Sequence, residues 1–132
     1  MDLVEWASAF IDNLDIFRRD LETKVITGNE IHCTYKSKGK YKYIIVPELK
    51  KEIIEKIKNG AITLVCLNTK ENLVFMINNW QDLIKNQKLK VIFVNPKLNL
   101  QWCLIPYTHN MISDSSSLKL GLKSIFESVP EV

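Results

Sequence analysis

The sequence predicts an α+β fold, a mainly antiparallel sheet of about six or seven strands with N-terminal and C-terminal helices packed on it. Three observations carry that expectation. Residues 3–21 and 115–129 repeat apolar side chains at helical spacing. Between them lie short β-rich runs separated by turn residues. The chain of 132 residues, 46% apolar and 25% charged, has the size and balance of one globular domain, residues 1–132.

In the first helix Leu3, Ala7, Phe10, Leu14, Phe17 and Leu21 alternate spacings of four and three, the pattern of one amphipathic stripe. Asp2 and Glu5 near its start and Arg18 and Arg19 near its end suit the helix dipole. The same stripe can pair with a second copy of the helix, although packing on its own sheet is expected. Strands follow at 24–27, ended by the turn pair Gly28-Asn29, and at 31–36 and 40–46. The last two form a hairpin about Ser37-Lys38-Gly39, with glycine in the left-handed position. In that register Tyr35 faces Tyr41, Cys33 faces Tyr43 and Ile31 faces Ile45 on one side of the sheet. Thr34, Lys36, Lys40 and Lys42 take the other side.

Pro47 opens a second helix over 48–58, closed at Asn59-Gly60. Residues 61–67 are nearly all apolar and read as a central strand buried on both faces. Residues 73–77 are a second solid apolar run and are assigned to a hairpin strand, although Leu73, Met76, Ile77, Trp80 and Leu83 also fit a helical stripe. A short helix over 80–86 takes Asn79 as its N-cap. The last strands are 89–95 and 100–105, then a loop over 106–114 and a helix over 115–129 that Pro130 stops. Gly121 interrupts this helix, which a close backbone approach would explain.

Composition removes several function classes. No apolar run approaches the roughly 18 residues of a membrane span, and the opening Met1 to Glu5 has no basic segment of a secretory leader. A cytoplasmic protein without membrane contact is expected. The net charge is only +3, but it is unevenly spread. Asp2, Glu5, Asp12, Asp15, Asp20 and Glu22 face only Arg18 and Arg19 in the first segment, and every later base is a lysine. Lysine is a hydrated point charge without arginine's bidentate fork, which weakens the case for nucleic acid. Cys33, Cys66 and Cys103 form no CxxC pair and read as reduced thiols. His32 and His109 form no HExxH, and the four glycines serve turns, caps and contacts. No metal and no cofactor are expected.

Two segments concentrate polar and aromatic side chains. Residues 102–110 hold Trp102, Cys103, Tyr107, Thr108, His109 and Asn110 at a strand end and in the following loop. Cys103 and His109, oriented by Asn110, have the residue types of a thiolate–imidazolium pair. Strand alternation instead makes Cys103 a core residue. The hairpin carries Lys36, Lys38, Lys40 and Lys42 interleaved with Tyr35, Tyr41 and Tyr43, a composition that suits a single nucleic-acid strand. The period of two, however, sends tyrosines and most lysines to opposite faces.

The order helix, three strands, helix, further strands, with Glu48-Leu49-Lys50 after the third strand, resembles the metal-dependent nucleases at the level of fold. The resemblance implies clustered carboxylates holding Mg²⁺. This chain departs from it there: its second hairpin strand has no acid over 32–36, Glu48 falls at a helix start, and only Glu5 and Glu30 remain. The resemblance then implies an inactive nuclease-like fold.

The leading expectation is a non-catalytic binding module for a protein partner, a second copy included as a homodimer, acting through Trp102, Tyr107, His109, Asn110 and the exposed side of the first helix. The second is nucleic-acid binding through Lys36, Lys38, Lys40 and Lys42. The third is an enzyme using Cys103 and His109. No catalytic residue is assigned.

Overall fold

Asp2 sets the start of the first helix: its carboxylate accepts the Glu5 N–H at 2.8 Å. Helix α1 then runs Leu3–Arg18. The structure, a computed structural model, describes residues 2–114 and 116–132. Asp15 ends α1: its Oδ1 accepts the N–H groups of Asp20 and Leu21 at 2.8 and 2.9 Å. Arg19 turns into the left-handed region with φ 48°. Leu21 therefore opens a strand and is not the last residue of the helix. The buried face of α1 is Leu3, Trp6, Ala7 and Ile11, while Leu14 is 39% and Phe17 94% exposed. Phe17 lies on the same angular side of α1 as Leu3 and Trp6, so its exposure comes from its place in the last turn, past Ile11 where the buried face ends.

Strands β1 (Leu21–Thr27), β2 (Glu30–Tyr35) and β3 (Gly39–Ile45) form an antiparallel meander. Tyr35 pairs with Gly39, Cys33 with Tyr41 and Ile31 with Tyr43, two residues away from the expected register. The loop is Lys36 to Lys38, and Gly39 opens β3 at φ 79°. A shift of two leaves parity unchanged, so Tyr41, Tyr43, Ile31 and Cys33 still share one face.

The next segment departs from a helix over 48–58. Only α2 (Ile53–Lys56) is helical. The residues before it are held by Asn72, whose Oδ1 accepts the Leu49 N–H at 2.9 Å and whose Nδ2 donates to the carbonyls of Pro47 and Leu67, both at 2.8 Å. Strand β4 (Ile62–Leu67) follows, then α3 (Lys70–Asn78) and α4 (Trp80–Leu83). The apolar run over 73–77 is thus helix and not a hairpin strand. Thr69 caps it by accepting the Asn72 N–H at 3.2 Å, and Leu73 and Met76 face inward. β5 (Lys90–Asn95) and β6 (Leu100–Leu104) complete the sheet, followed by α5 (Pro106–Ile112) in place of a loop and α6 (Leu118–Glu127). Ser115, the expected start of the last helix, lies outside the described residues.

The fold is α+β, with six strands in the order β1-β2-β3-β4-β5-β6. The sheet is mixed and not mainly antiparallel, because β3–β4 and β4–β5 are parallel. The reason is two crossovers: the 46–61 connection with α2 carries the chain back between β3 and β4, and the helical 70–83 segment does so between β4 and β5, so each strand re-enters the sheet at the same end. The solid apolar runs of β4 and β5 belong to central parallel strands covered on both faces. On one face α1 packs on Ile31, Cys33, Tyr43, Ile45, Val65 and Ile92. On the other, side chains of α2, α3, α4 and α6 pack on Ile44, Leu64, Cys66, Phe93 and Trp102.

Buried asparagines tie the connections together. Asn68 donates to the carbonyls of Val129 and Pro130 and accepts the Trp102 indole N–H at 2.8 Å. Asn95 donates to the Pro130 carbonyl at 3.0 Å. Asn86 donates to the carbonyls of Ile57 and Gly60. Among the described residues, every buried side-chain polar atom has a partner, and no helix is long and apolar enough to cross a membrane.

Gly121 lies in α6, and a Cβ built there meets nothing within 4 Å, so no close backbone approach accounts for it. Replacing a mid-helix glycine by alanine removes unfolded-chain entropy at an open position. Gly121→Ala is expected to raise stability by about 0.5–1 kcal/mol, read as a higher urea midpoint at unchanged slope.

Candidate functional site

Because β3, β4 and β5 run parallel, their first residues, Gly39, Ile62 and Lys90, gather at one end of the sheet. The β2–β3 turn and the C-terminus of α1 come to the same end, since Leu21 pairs with Tyr35 and Tyr35 with Gly39. Arg18, Arg19, Lys36, Lys38, Lys40, Lys42 and Lys90 are thereby brought together from α1, the hairpin and β5. Asp20 fixes the turn: its carboxylate accepts the Ser37 N–H at 3.0 Å and the Ser37 hydroxyl, and its carbonyl accepts the Lys36 N–H at 2.8 Å. The Ser37 hydroxyl holds the Asp20 carboxyl below the usual carboxylate range, helped by the Ser37 N–H and the charges of Lys38 and Lys36 against slight desolvation. Among the described residues, ion pairs form at Lys24–Asp12, His32–Glu30, Lys58–Glu55 and Lys85–Asp82, and none takes a cation of this end.

A cavity of about 300 Å³ opens here between α1 and the hairpin tip. Tyr35 and Tyr41 meet edge to face, with centroids 5.7 Å apart at 90°. Lys38 reaches over both rings, its Nζ 4.4 Å from the Tyr35 centroid and 4.7 Å from that of Tyr41. Tyr43 is buried at the back, and Arg18, Lys90 and Thr63 complete the cationic and polar wall. Burial pushes the Tyr35 phenol well above its ordinary range, reinforced by the neighbouring Tyr43 and Cys33. Burial, then Cys33, does the same to Tyr43. Both phenols are neutral hydrogen-bond donors at physiological pH. The Cys33 thiol is also raised by burial, which keeps it protonated.

The opposite face of the hairpin is basic as well. Lys40 pairs with Thr34 and Lys42 with His32. These side chains, with Thr23 and Val25 of β1, line a shallow hollow of about 390 Å³.

The 102–110 segment is built differently from its sequence reading. Trp102 is 6% exposed and stacked on Phe93 at 4.2 Å, so it belongs to the core and offers no binding surface. Cys103 is exposed, not buried, because β6 is an edge strand and α1 does not extend over this residue. Tyr107 is half-buried on α5. The Nδ1 of His109 lies 3.3 Å from the Ile105 carbonyl, and Asn110 is engaged by the Trp80 indole at 3.0 Å. Asn110 therefore orients Trp80 and not a nucleophile. Among the described residues no three His, Cys, Asp or Glu side chains are placed to hold a metal ion. Glu48 and Lys50 are exposed in a turn rather than a helix, Glu5 lies on α1, and Glu30 pairs with His32 at 3.1 Å. The carboxylate cluster of the metal-dependent nucleases is not assembled from them.

Comparison with protein-family models, curated proteins and solved structures finds no match to this chain.

The tyrosines give the site a pH signature. A phenol whose folded pKa is raised contributes stability that is whole below its unfolded value, here 10.0, and is lost as pH climbs from there toward the folded value. Resistance to urea is expected to fall above about pH 10, with phenolate absorbance from Tyr35 and Tyr43 appearing only as the chain unfolds. Tyr35→Phe should soften that alkaline fall.

Proposed function

We propose that this chain is a non-catalytic binding module whose ligand is a polyanion, best matched by a single strand of nucleic acid. The observation that supports this reading is the collection of seven cations at one end of the sheet, none of them in an ion pair among the described residues, three of which (Arg18, Lys38 and Lys90) line a cavity with Tyr35, Tyr41 and Tyr43 beside Asp15 and Asp20. Single strands are held by a basic surface that follows the backbone and by aromatic rings that meet the bases. The strand period separates Lys40 and Lys42 from the tyrosines, but Lys38 in the turn, Arg18 and Lys90 stand beside them. Charge and aromatic surface thus act on one ligand. Arg18, one of two arginines in the chain, brings the planar fork that the lysines lack. The reading is for a cytoplasmic protein, a compartment in which an exposed thiol such as Cys103 stays reduced.

Fluorescence anisotropy with a short mixed-sequence single strand tests this. Binding should appear at low salt and weaken steeply as salt rises. Lys40→Gln combined with Lys42→Gln should weaken it about tenfold and reduce the salt slope by roughly two. Absence of binding at low salt removes the reading.

A second reading, self-association, is favoured by one observation. Phe17 is 94% exposed, and Ile16 and Leu14 beside it are 58% and 39% exposed. An apolar patch of this kind is the ordinary mark of a protein contact. Light scattering over a concentration series should then give a dimer that Phe17→Ser returns to monomer. A monomer at every concentration excludes it.

A further inference from the structure

The cavity between α1 and the hairpin tip has a chemistry narrower than that of the basic surface around it. We propose that it is a site for a terminal phosphomonoester, carried either by the end of a nucleic-acid strand or by a free nucleotide. The inference rests on the polyanion reading and deepens it. Arg18 from α1, Lys38 from the turn and Lys90 from β5 all line the cavity, and none has an ion-pair partner among the described residues. Two carboxylates, Asp15 and Asp20, share the lining, so three cations stand against two acids, each acid directed toward neutral donors of its own. Asp20 is occupied by Ser37, and Oδ1 of Asp15 by the N–H groups of Asp20 and Leu21. The phenols of Tyr35 and Tyr43 stay protonated and can donate, and Thr63 adds a hydroxyl at the start of β4.

A phosphomonoester presents three acceptor oxygens and a charge between one and two at neutral pH. Its extra acceptor oxygen and charge use the cationic excess and the neutral donors of this lining more fully than an internal phosphodiester does. The volume of about 300 Å³ is at the low end for small-ligand sites. It has room for a terminal group and not for a run of strand. Lys38 lies on the Tyr35 and Tyr41 rings, so an entering phosphate draws its ammonium off the aromatic faces and frees a ring for the attached base.

The experiment compares the intact protein's affinity for one short single strand bearing a hydroxyl or a phosphate at its 5′ end, with the label at the 3′ end. A second pair carries the change at the 3′ end. Adenosine monophosphate and adenosine serve as competitors. The expected result is that one terminal phosphate tightens binding about tenfold, the worth of one charge-assisted contact. Arg18→Gln and Lys90→Gln should abolish that gain, so that phosphate and hydroxyl strands bind alike, while both strands bind more weakly than to the parent because the basic surface has lost a cation. The circular dichroism of the two variants should match that of the parent. Competition by adenosine monophosphate and not adenosine assigns the site to free nucleotides as well, and its absence assigns it to strand ends alone. Equal affinity for phosphate and hydroxyl ends overturns the phosphate site and leaves the polyanion reading standing. No binding of any strand and none of the nucleotide overturns both.

Discussion

The parallel pairing of β3, β4 and β5 is the constraint on which the rest of this molecule depends. Two parallel neighbours force the chain to travel back outside the sheet twice. Those returns supply α2, α3 and α4, which with α6 cover one face of the central strands. The same pairing collects the starts of three strands at one end and their finishes at the other. In open sheets of this kind, ligands usually lie beyond the carboxyl ends of parallel strands. Here that end is occupied by the chain itself: Asn68 and Asn95 bind the carbonyls of Val129 and Pro130, and the Val132 N–H reaches the Asn68 carbonyl at 3.0 Å. The lysines gather at the opposite, amino end.

Charge distribution reinforces that polarity. The acidic first segment does not neutralise the basic body as a simple docking picture would have it. Asp12 takes Lys24 at 2.7 Å, with Ser8 beside it. Three of the other five serve local geometry: Asp2 caps α1, Asp15 ends it and Asp20 holds the hairpin turn. Asp15 and Asp20 therefore lie beside Arg18, Lys38 and Lys90 and offset part of their charge, as the pull of Lys38 and Lys36 on the Asp20 carboxyl shows, while leaving the cations of this end in excess. A solvated cluster of this kind costs little stability, because solvent and salt screen its repulsion.

How much of this was legible in the sequence follows from the range of the interactions. The first and last helices, the meander and its two faces rest on periods of 3.6 and 2, which are local. The 73–77 run is apolar throughout, which suits a buried strand as well as a helix; the helical spacing of Leu73, Met76, Ile77, Trp80 and Leu83 and the Thr69 cap were the signals that favoured helix. The shortened α2 depends on Asn72, a residue 23 positions from the Leu49 N–H it holds. The buried asparagines were invisible for the same reason: an asparagine satisfied by distant carbonyls reads in sequence as a surface residue. Trp102 and Asn110 are a further instance, since each is claimed by a partner 34 or 30 positions away.

The candidate site shows where local reasoning stops. Alternation along β2 and β3 does separate Lys40 and Lys42 from the tyrosines, as the pleat requires. It does not govern a residue in the turn. Lys38 sits beyond the last pair, Tyr35–Gly39, and a lysine stem is long enough to fold back over either face. It takes the tyrosine face because two aromatic rings there accept the ammonium. Arg18 reaches the same place because α1 ends where Asp15 stops it, and Lys90 because β5 begins beside β4. One local turn and two non-local placements thus convert a hairpin with its charge on the wrong face into a cavity in which cations and phenols meet.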